Sequence, residues 1–261
     1  MNSEQTFDNQ LNPQPEPPNP NSFLNRLIGV YFSPSDTFKE IGLAPRVLVP
    51  LLMVALLGGI MNFVVNNRYG AENVARKQVE PMMRSMGVPE DKIEEAVQQT
   101  IAASQTTWGK IKGPLSGAIG FIVMMLIVAG VFKLFTLMMG ATNSFKPLLS
   151  VISFAYLAIA LIQVLLTTII VYLKNPEDID IFNPVSSNVG GLLAVAGIAL
   201  PKFIGGLASF IDVFGIWRIV LLGIGCAAVT PKMKSMTAAI PHIILYCLAA
   251  LMFSAAAMMM G

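Results

Sequence analysis

Five apolar runs, each long enough to cross a bilayer, constrain this chain more than anything else in it. They cover residues 47–65, 114–140, 147–173, 203–229 and 238–260. Each exceeds the roughly 17 residues that a helix rising about 1.5 Å per residue needs to span a hydrocarbon core. Of 17 basic and 15 acidic residues, only Lys133, Asp212 and Arg218 fall inside these runs. Hydrophobic residues make up 54% of the chain and charged residues 12%, about half the charge of an ordinary globular protein. A water-soluble enzyme of this length could not clothe its surface with so few charges. A net charge of +2 supplies no basic stripe, so nucleic acid is not an expected partner. The expected fold is all-α: a polytopic membrane protein with about five transmembrane helices.

The flanks of the runs divide the chain further. Residues 1–22 hold five Pro and five Asn and lack both the basic start and the apolar stretch of a signal peptide. They are expected to be a disordered, solvated tail. In residues 23–43, Phe23, Leu24, Leu27, Ile28, Tyr31 and Phe32 recur at helical spacing. The stretch is too short to span, so interfacial amphipathic helices are expected there. Ser33-Pro34-Ser35-Asp36 predicts a second helix start, with Ser33 as N-cap, Pro34 in the first position and Asp36 as capping-box acid. That helix should turn Phe38 and Ile41 toward the bilayer. Residues 47–260 form the membrane domain, and residues 66–113 form a helical loop outside it, split at Gly87-Val88-Pro89. The stripe of Ile93, Val97 and Ile101 predicts that the loop's second helix packs on its neighbour or on the membrane. Residues 189–200 are apolar but too short to cross readily, and are expected to be re-entrant or interfacial.

Lys and Arg next to the spans favour a cytoplasmic N-terminus and an external C-terminus in the cytoplasmic (inner) membrane. Arg26, Lys39, Arg46, Lys146, Lys232 and Lys234 would then lie inside. Arg68, Lys110 and Lys112 in the 66–113 loop weigh the other way.

Motifs for catalysis are sparse. One histidine allows no His-rich metal site, and the two cysteines lie inside apolar runs without a CxxC pair. Neither a nucleophile elbow nor a phosphate loop occurs. Gly223 to Ala228 matches a loose dinucleotide pattern, but no strand precedes it. Gly113 and Gly117 have the spacing that lets helices approach closely. No enzyme activity, cofactor or metal is expected. His242 is expected to bond a backbone carbonyl, Cys226 and Cys247 to act as small apolar residues, and Lys133 to snorkel to the cytoplasmic edge.

Asp212 and Arg218 are the exceptional charges, because an intramembrane charge must face protein or a wet cavity. Six residues apart, they point about 240° from each other around a helix and do not share a face. Asn62, Gln163 and Asp212 all fall about 22–25 Å from the cytoplasmic ends of their spans. They are expected to form an intramembrane polar layer, either as glue between helices or as part of a transport path.

The run Leu27-Ile28-Gly29-Val30-Tyr31-Phe32-Ser33-Pro34, followed by Thr37-Phe38 and Pro50, is similar to the start of Yip1-domain proteins. Ile211-Asp212-Val213-Phe214-Gly215-Ile216-Trp217, running into Leu221 to Gly225, resembles the aspartate–phenylalanine–tryptophan helix of bacterial members, as does Asn183-Pro184 ahead of it. Ser33, Pro34, Asp212, Phe214 and Trp217 carry the likeness. It implies a five-span membrane fold with no catalytic residues. Eukaryotic members are Golgi and ER proteins tied to vesicle traffic and Rab-type GTPases, and that role does not transfer to a bacterial-looking chain. The expected function is a non-enzymatic membrane adaptor or organiser, with the lipid bilayer and a membrane-protein partner or second copy as its contacts. The alternative is a small-solute, ion or lipid transporter built around the polar layer.

Overall fold

The computed structural model describes residues 22–175, 185 and 187–259. The expected tail at 1–21, the Asn183-Pro184 pair and the end of the last span at Met260 lie outside the described residues. Eleven helices follow one another within them. They are α1 (Phe23–Phe32), α2 (Pro34–Leu43), α3 (Leu48–Tyr69), α4 (Ala71–Ser85), α5 (Glu90–Gln105) and α6 (Thr107–Met138). Then come α7 (Phe145–Leu173), α8 (Val189–Val195), α9 (Lys202–Ser209), α10 (Val213–Ala228) and α11 (Ser235–Met259). Helices α3, α6, α7 and α11 are long and apolar enough to cross a membrane. The apolar stretch expected as one helix over 203–229 is instead two helices, α9 and α10, broken at Phe210, Ile211 and Asp212.

Helix α7 is the centre of the bundle. Every residue from Leu148 to Ile159 is buried. This half of the helix is enclosed and mostly apolar, with the Ser150 and Ser153 hydroxyls satisfied by the Arg46 and Leu149 carbonyls. Its neighbours α3 and α6 approach each other through glycine. A Cβ on Gly58 would lie 2.5 Å from the Phe121 ring, and one on Gly117 would lie 3.5 Å from the Gly58 carbonyl oxygen. The Gly113–Gly117 spacing thus serves close helix approach. In α10, Gly223 packs on the start of α11 and Gly225 on Val151 and Phe38, which accounts for the glycines of the loose dinucleotide pattern.

The two N-terminal helices form, but their inner faces are committed to protein. Phe38 and Ile41, expected to face the bilayer, are fully buried in the main core, because α2 lies on α7 and α10. Phe23 meets Phe154 with ring centroids 5.4 Å apart, and the Tyr31 hydroxyl donates to the Ala158 carbonyl. Ala158 lies 13 residues beyond Phe145, about 20 Å along α7, so the α1–α2 turn reaches well down the bundle. Leu24, Ile28 and Phe32 form the exposed stripe of α1. Ser33 does sit at the N-cap of α2 and Pro34 in its first turn, yet the serine side chain makes no capping bond. Asp36 pairs with Lys39 at 3.1 Å instead of closing a capping box.

Beyond α3, the expected loop over 66–113 is the α4–α5 helical hairpin, and α6 begins before its expected start, at Thr107, running through Pro114. Ala75, Ile93 and Val97 make a small core between α4 and α5. Arg76 ties the pair together, reaching Glu94 of α5 at 2.8 Å and Glu72 and Glu80 of its own helix at 3.0 and 3.1 Å.

Of two further side chains, His242 sits differently from expectation and Lys133 reaches the end of its span as expected. His242 is buried, stacked on Phe132 at 5.5 Å, and contacts the Cys226 sulfur at 3.5 Å rather than a backbone carbonyl. Lys133 turns to the α6–α7 connection. Its ammonium bonds the Asn143 carbonyl and side-chain oxygens, and the Asn143 amide donates to Thr230 at 3.0 Å.

Candidate functional site

The break between α9 and α10 is a built structure. Ile211 and Asp212 leave the helical conformation, with Asp212 at φ −118° and ψ 137°. Asn188 and Asp212 pair as an isolated antiparallel bridge, and Val189 N–H donates to the Ile211 carbonyl at 3.0 Å. Backbone groups released by the break are therefore taken up by residues 187–189, as an apolar surrounding requires. Each half of the bridge also starts a helix. Asn188 Oδ1 accepts from Gly191 N–H at 2.7 Å to cap α8, and Asp212 Oδ2 accepts from Gly215 N–H at 2.8 Å to cap α10. The other Asp212 oxygen accepts from the Ser187 hydroxyl. Asp212 is thus an N-cap and not a mid-helix acid.

A cavity of about 420 Å³ opens beside this break. Gln163, Thr167, Ser187, Asn188, Asp212 and Arg218 supply polar wall, and Met61, Val65 and Phe214 supply apolar wall. Arg218 lies over two tyrosine rings, its Cζ 5.5 Å from the Tyr156 ring centroid and 5.8 Å from that of Tyr246. Tyr246 is fixed in turn by donating its hydroxyl to the Phe210 carbonyl at 2.8 Å. Gly215 makes room for that reach, since a Cβ there would lie 1.9 Å from the Tyr246 oxygen.

The expected three-residue layer divides in two. Gln163, Asp212 and Arg218 share the cavity wall. Asn62 does not join them. Its Oδ1 accepts from Asn66 at 3.0 Å, and it faces Gly113 of α6 beside a second cavity of about 340 Å³. The helical period explains this: Met61 and Val65 share one face of α3, and Asn62 lies about 100° round from Met61. Equal depth did not mean equal facing. Tyr156, Asn188 and Tyr246 were not foreseen. Only Asn188 had a signal, since Asn188-x-x-Gly191 repeats the spacing of Asp212-x-x-Gly215. Among the described residues, no three His, Cys, Asp or Glu side chains gather as a metal site.

The motif residues now have physical roles. Asp212 caps, Phe214 is buried in the core, and Trp217 meets Tyr31 at 5.8 Å between ring centroids. Tyr31 lies in the first family-like segment, so the two segments that carry the resemblance touch.

An all-helical bundle with several long apolar helices and one broken apolar segment defines a multi-pass membrane protein, in contact with the lipid bilayer. Its two motif segments agree with a match to the Yip1 domain family model over residues 28–258. The chain belongs to the Yip1-domain family. Searches of curated proteins and of solved structures each gave no match.

Proposed function

We propose that this protein is a non-enzymatic adaptor or organiser of the cytoplasmic membrane, with its N-terminus inside and its C-terminus outside. The observation that supports this most is the α4–α5 hairpin. It is charged, braced by Arg76, and joined to the spans at both ends, and it holds Met82 and Met86 exposed near its tip. Methionines on a braced, solvent-facing element suit contact with another protein, because their flexible side chains fit varied surfaces. The partner is another membrane protein or a second copy of this chain.

The test is affinity purification of the full chain from native membranes in mild detergent, beside a variant carrying Met82→Ser and Met86→Ser. A partner at stoichiometric yield should be held by the parent chain and lost by the variant. Recovery of both chains alone would overturn the reading.

Transport is the second reading, and the helix break favours it. Discontinuous helices beside a polar cavity are a recurring feature of transporter binding sites. Solute flux in proteoliposomes, lost in an Arg218→Gln variant, would establish it over the adaptor role.

A further inference from the structure

The adaptor reading leaves the Arg218 cavity without a task, and its chemistry is specific. The guanidinium lies over the Tyr156 ring and over the Tyr246 ring, 5.5 and 5.8 Å from their centroids. Stacking of this kind leaves the N–H edges of the plane free to donate in parallel to two oxygens of one anion. Among the described residues, Arg218 makes no hydrogen bond and no ion pair. It is half-buried on the cavity wall and has no acceptor among the described residues, so its edge is open to an oxyanion that enters the cavity.

Asp212 does not fill that role. Its two oxygens each accept one bond, from Ser187 and from the α10 backbone. Among the described residues it forms no ion pair with Arg218, and each oxygen keeps a lone pair for a donor entering the cavity. The cavity therefore presents one fixed positive and one fixed negative group, with Gln163 and Thr167 between helices α7 and α10 as neutral hydrogen-bonding groups. A ligand carrying only an anion would leave the carboxylate uncompensated. A zwitterion satisfies both.

Depth selects the kind of zwitterion. Arg218 faces Thr167, six residues from the end of α7, and Val65, four from the end of α3, across the cavity. At about 1.5 Å per residue these are about 6–9 Å inside the helix ends, where hydrocarbon gives way to headgroups. A volume of about 420 Å³ falls within the range of about 300–1,000 Å³ that small-molecule sites occupy.

We propose that this cavity binds a phosphate–ammonium zwitterion, with Arg218 taking the phosphate oxygens and Asp212 the ammonium. A phosphoethanolamine headgroup, carried on a lipid or free in solution, has this chemistry.

The test uses the full chain, purified and stripped of lipid, with binding followed by thermal shift. Phosphatidylethanolamine should bind at least about tenfold more tightly than a diacylglycerol with the same chains, the factor that about 1.4 kcal/mol provides. Arg218→Gln should abolish that preference, and Asp212→Asn should abolish preference for phosphatidylethanolamine over phosphatidylglycerol. Soluble glycerophosphoethanolamine distinguishes the source. Binding as tight as the lipid's marks a free solute, and binding only with chains attached marks a membrane lipid; both support the site. Equal binding of phosphatidylethanolamine and diacylglycerol by the parent chain would overturn the proposal, and needs no variant to fold. Survival of the preference in Arg218→Gln would overturn it equally. These outcomes are independent of partner capture through the hairpin.

Discussion

Arg26 reaches Glu40 at 2.9 Å across the turn between α1 and α2, and the arginine side chain has no exposed surface. Its Nη1 also donates to the Ala44 carbonyl at 2.7 Å, while Nη2 has no partner. One buried cation thus binds α1 to the far end of α2 and fixes the antiparallel pair that wedges against α7. Removing one partner of a buried pair leaves an uncompensated charge and costs about 3–5 kcal/mol, whereas replacing both by apolar groups is often neutral. Glu40→Ala should therefore lower thermal stability in detergent sharply, and Arg26→Met combined with Glu40→Leu should recover most of it. A double variant less stable than Glu40→Ala would show that the pair contributes more than mutual compensation.

Glycine substitutions should divide by their surroundings. A Cβ on Gly206 of α9 would lie 2.9 Å from the Ser254 Cα of α11, a backbone atom that cannot turn aside. Gly206→Ala should cost about 1–3 kcal/mol, as overpacking does. Around Gly120 and Gly130 nothing lies within 4 Å of the added carbon. Alanine there should be neutral or should stabilise by up to about 1 kcal/mol through helix propensity. Unfolding midpoints of the three variants in one detergent check the contrast. Similar losses at all three would mean that α9 and α11 do not pack so closely.

The number of apolar segments was legible because 1.5 Å per residue and the bilayer's thickness leave little freedom. The hairpin of α4 and α5 was legible too, from Gly87-Val88-Pro89 and the stripe at Ile93 and Val97. The break at Asp212 was not. Phe203 to Val229 is apolar almost throughout, and hydropathy cannot distinguish one helix from two joined by a capped turn. The discriminating signal is local: Asp212 three residues before Gly215, matched by Asn188 three before Gly191. Nor could depth along each span reveal facing, which is why Asn62 was grouped with Gln163. The burial of Phe38 and Ile41 depended on α7 and α10, elements more than a hundred residues away in sequence.

Acid should loosen the α4–α5 hairpin first. Hydrogen bonds from Arg76 and then from Gln98 hold the Glu94 carboxyl below its usual range. A carboxylate with a depressed folded-state pKa stabilises the fold above its unfolded value, about 4.3, and that contribution is lost as pH falls through the folded value. Amide exchange in α4 and α5 should therefore rise as pH drops below about 4.3, after correction for intrinsic rates. Arg76→Met should remove the step, because Glu94 then titrates near its ordinary value. An identical profile in the variant would show that the Arg76 cluster does not brace the hairpin.

Orientation is open to direct labelling. Cys226 is buried and Cys247 lies within the last span, so an added cysteine can report alone to a membrane-impermeant thiol reagent. Glu95→Cys, on the exposed side of α5, should label in intact cells, and Gln10→Cys should not. The reverse pattern would invert the proposed topology.

Asp212 divides the adaptor reading from transport, and its role as an N-cap sharpens the expected outcome. Asn is as good an N-cap as Asp, whereas Ala costs about 0.5–2 kcal/mol. Asp212→Asn should keep the Gly215 bond and the α10 start, so thermal stability should change little. Asp212→Leu should lose the cap and leave the Gly215 N–H and the Ser187 hydroxyl without their acceptor, a larger loss. If the cavity moved a proton or cation by titration of this carboxylate, the Asn variant would fold normally and fail in transport. The adaptor reading expects the Asn variant to fold, to hold its partner through the hairpin, and to complement a deletion strain. A stable Asn variant that behaves like the deletion would decide for transport.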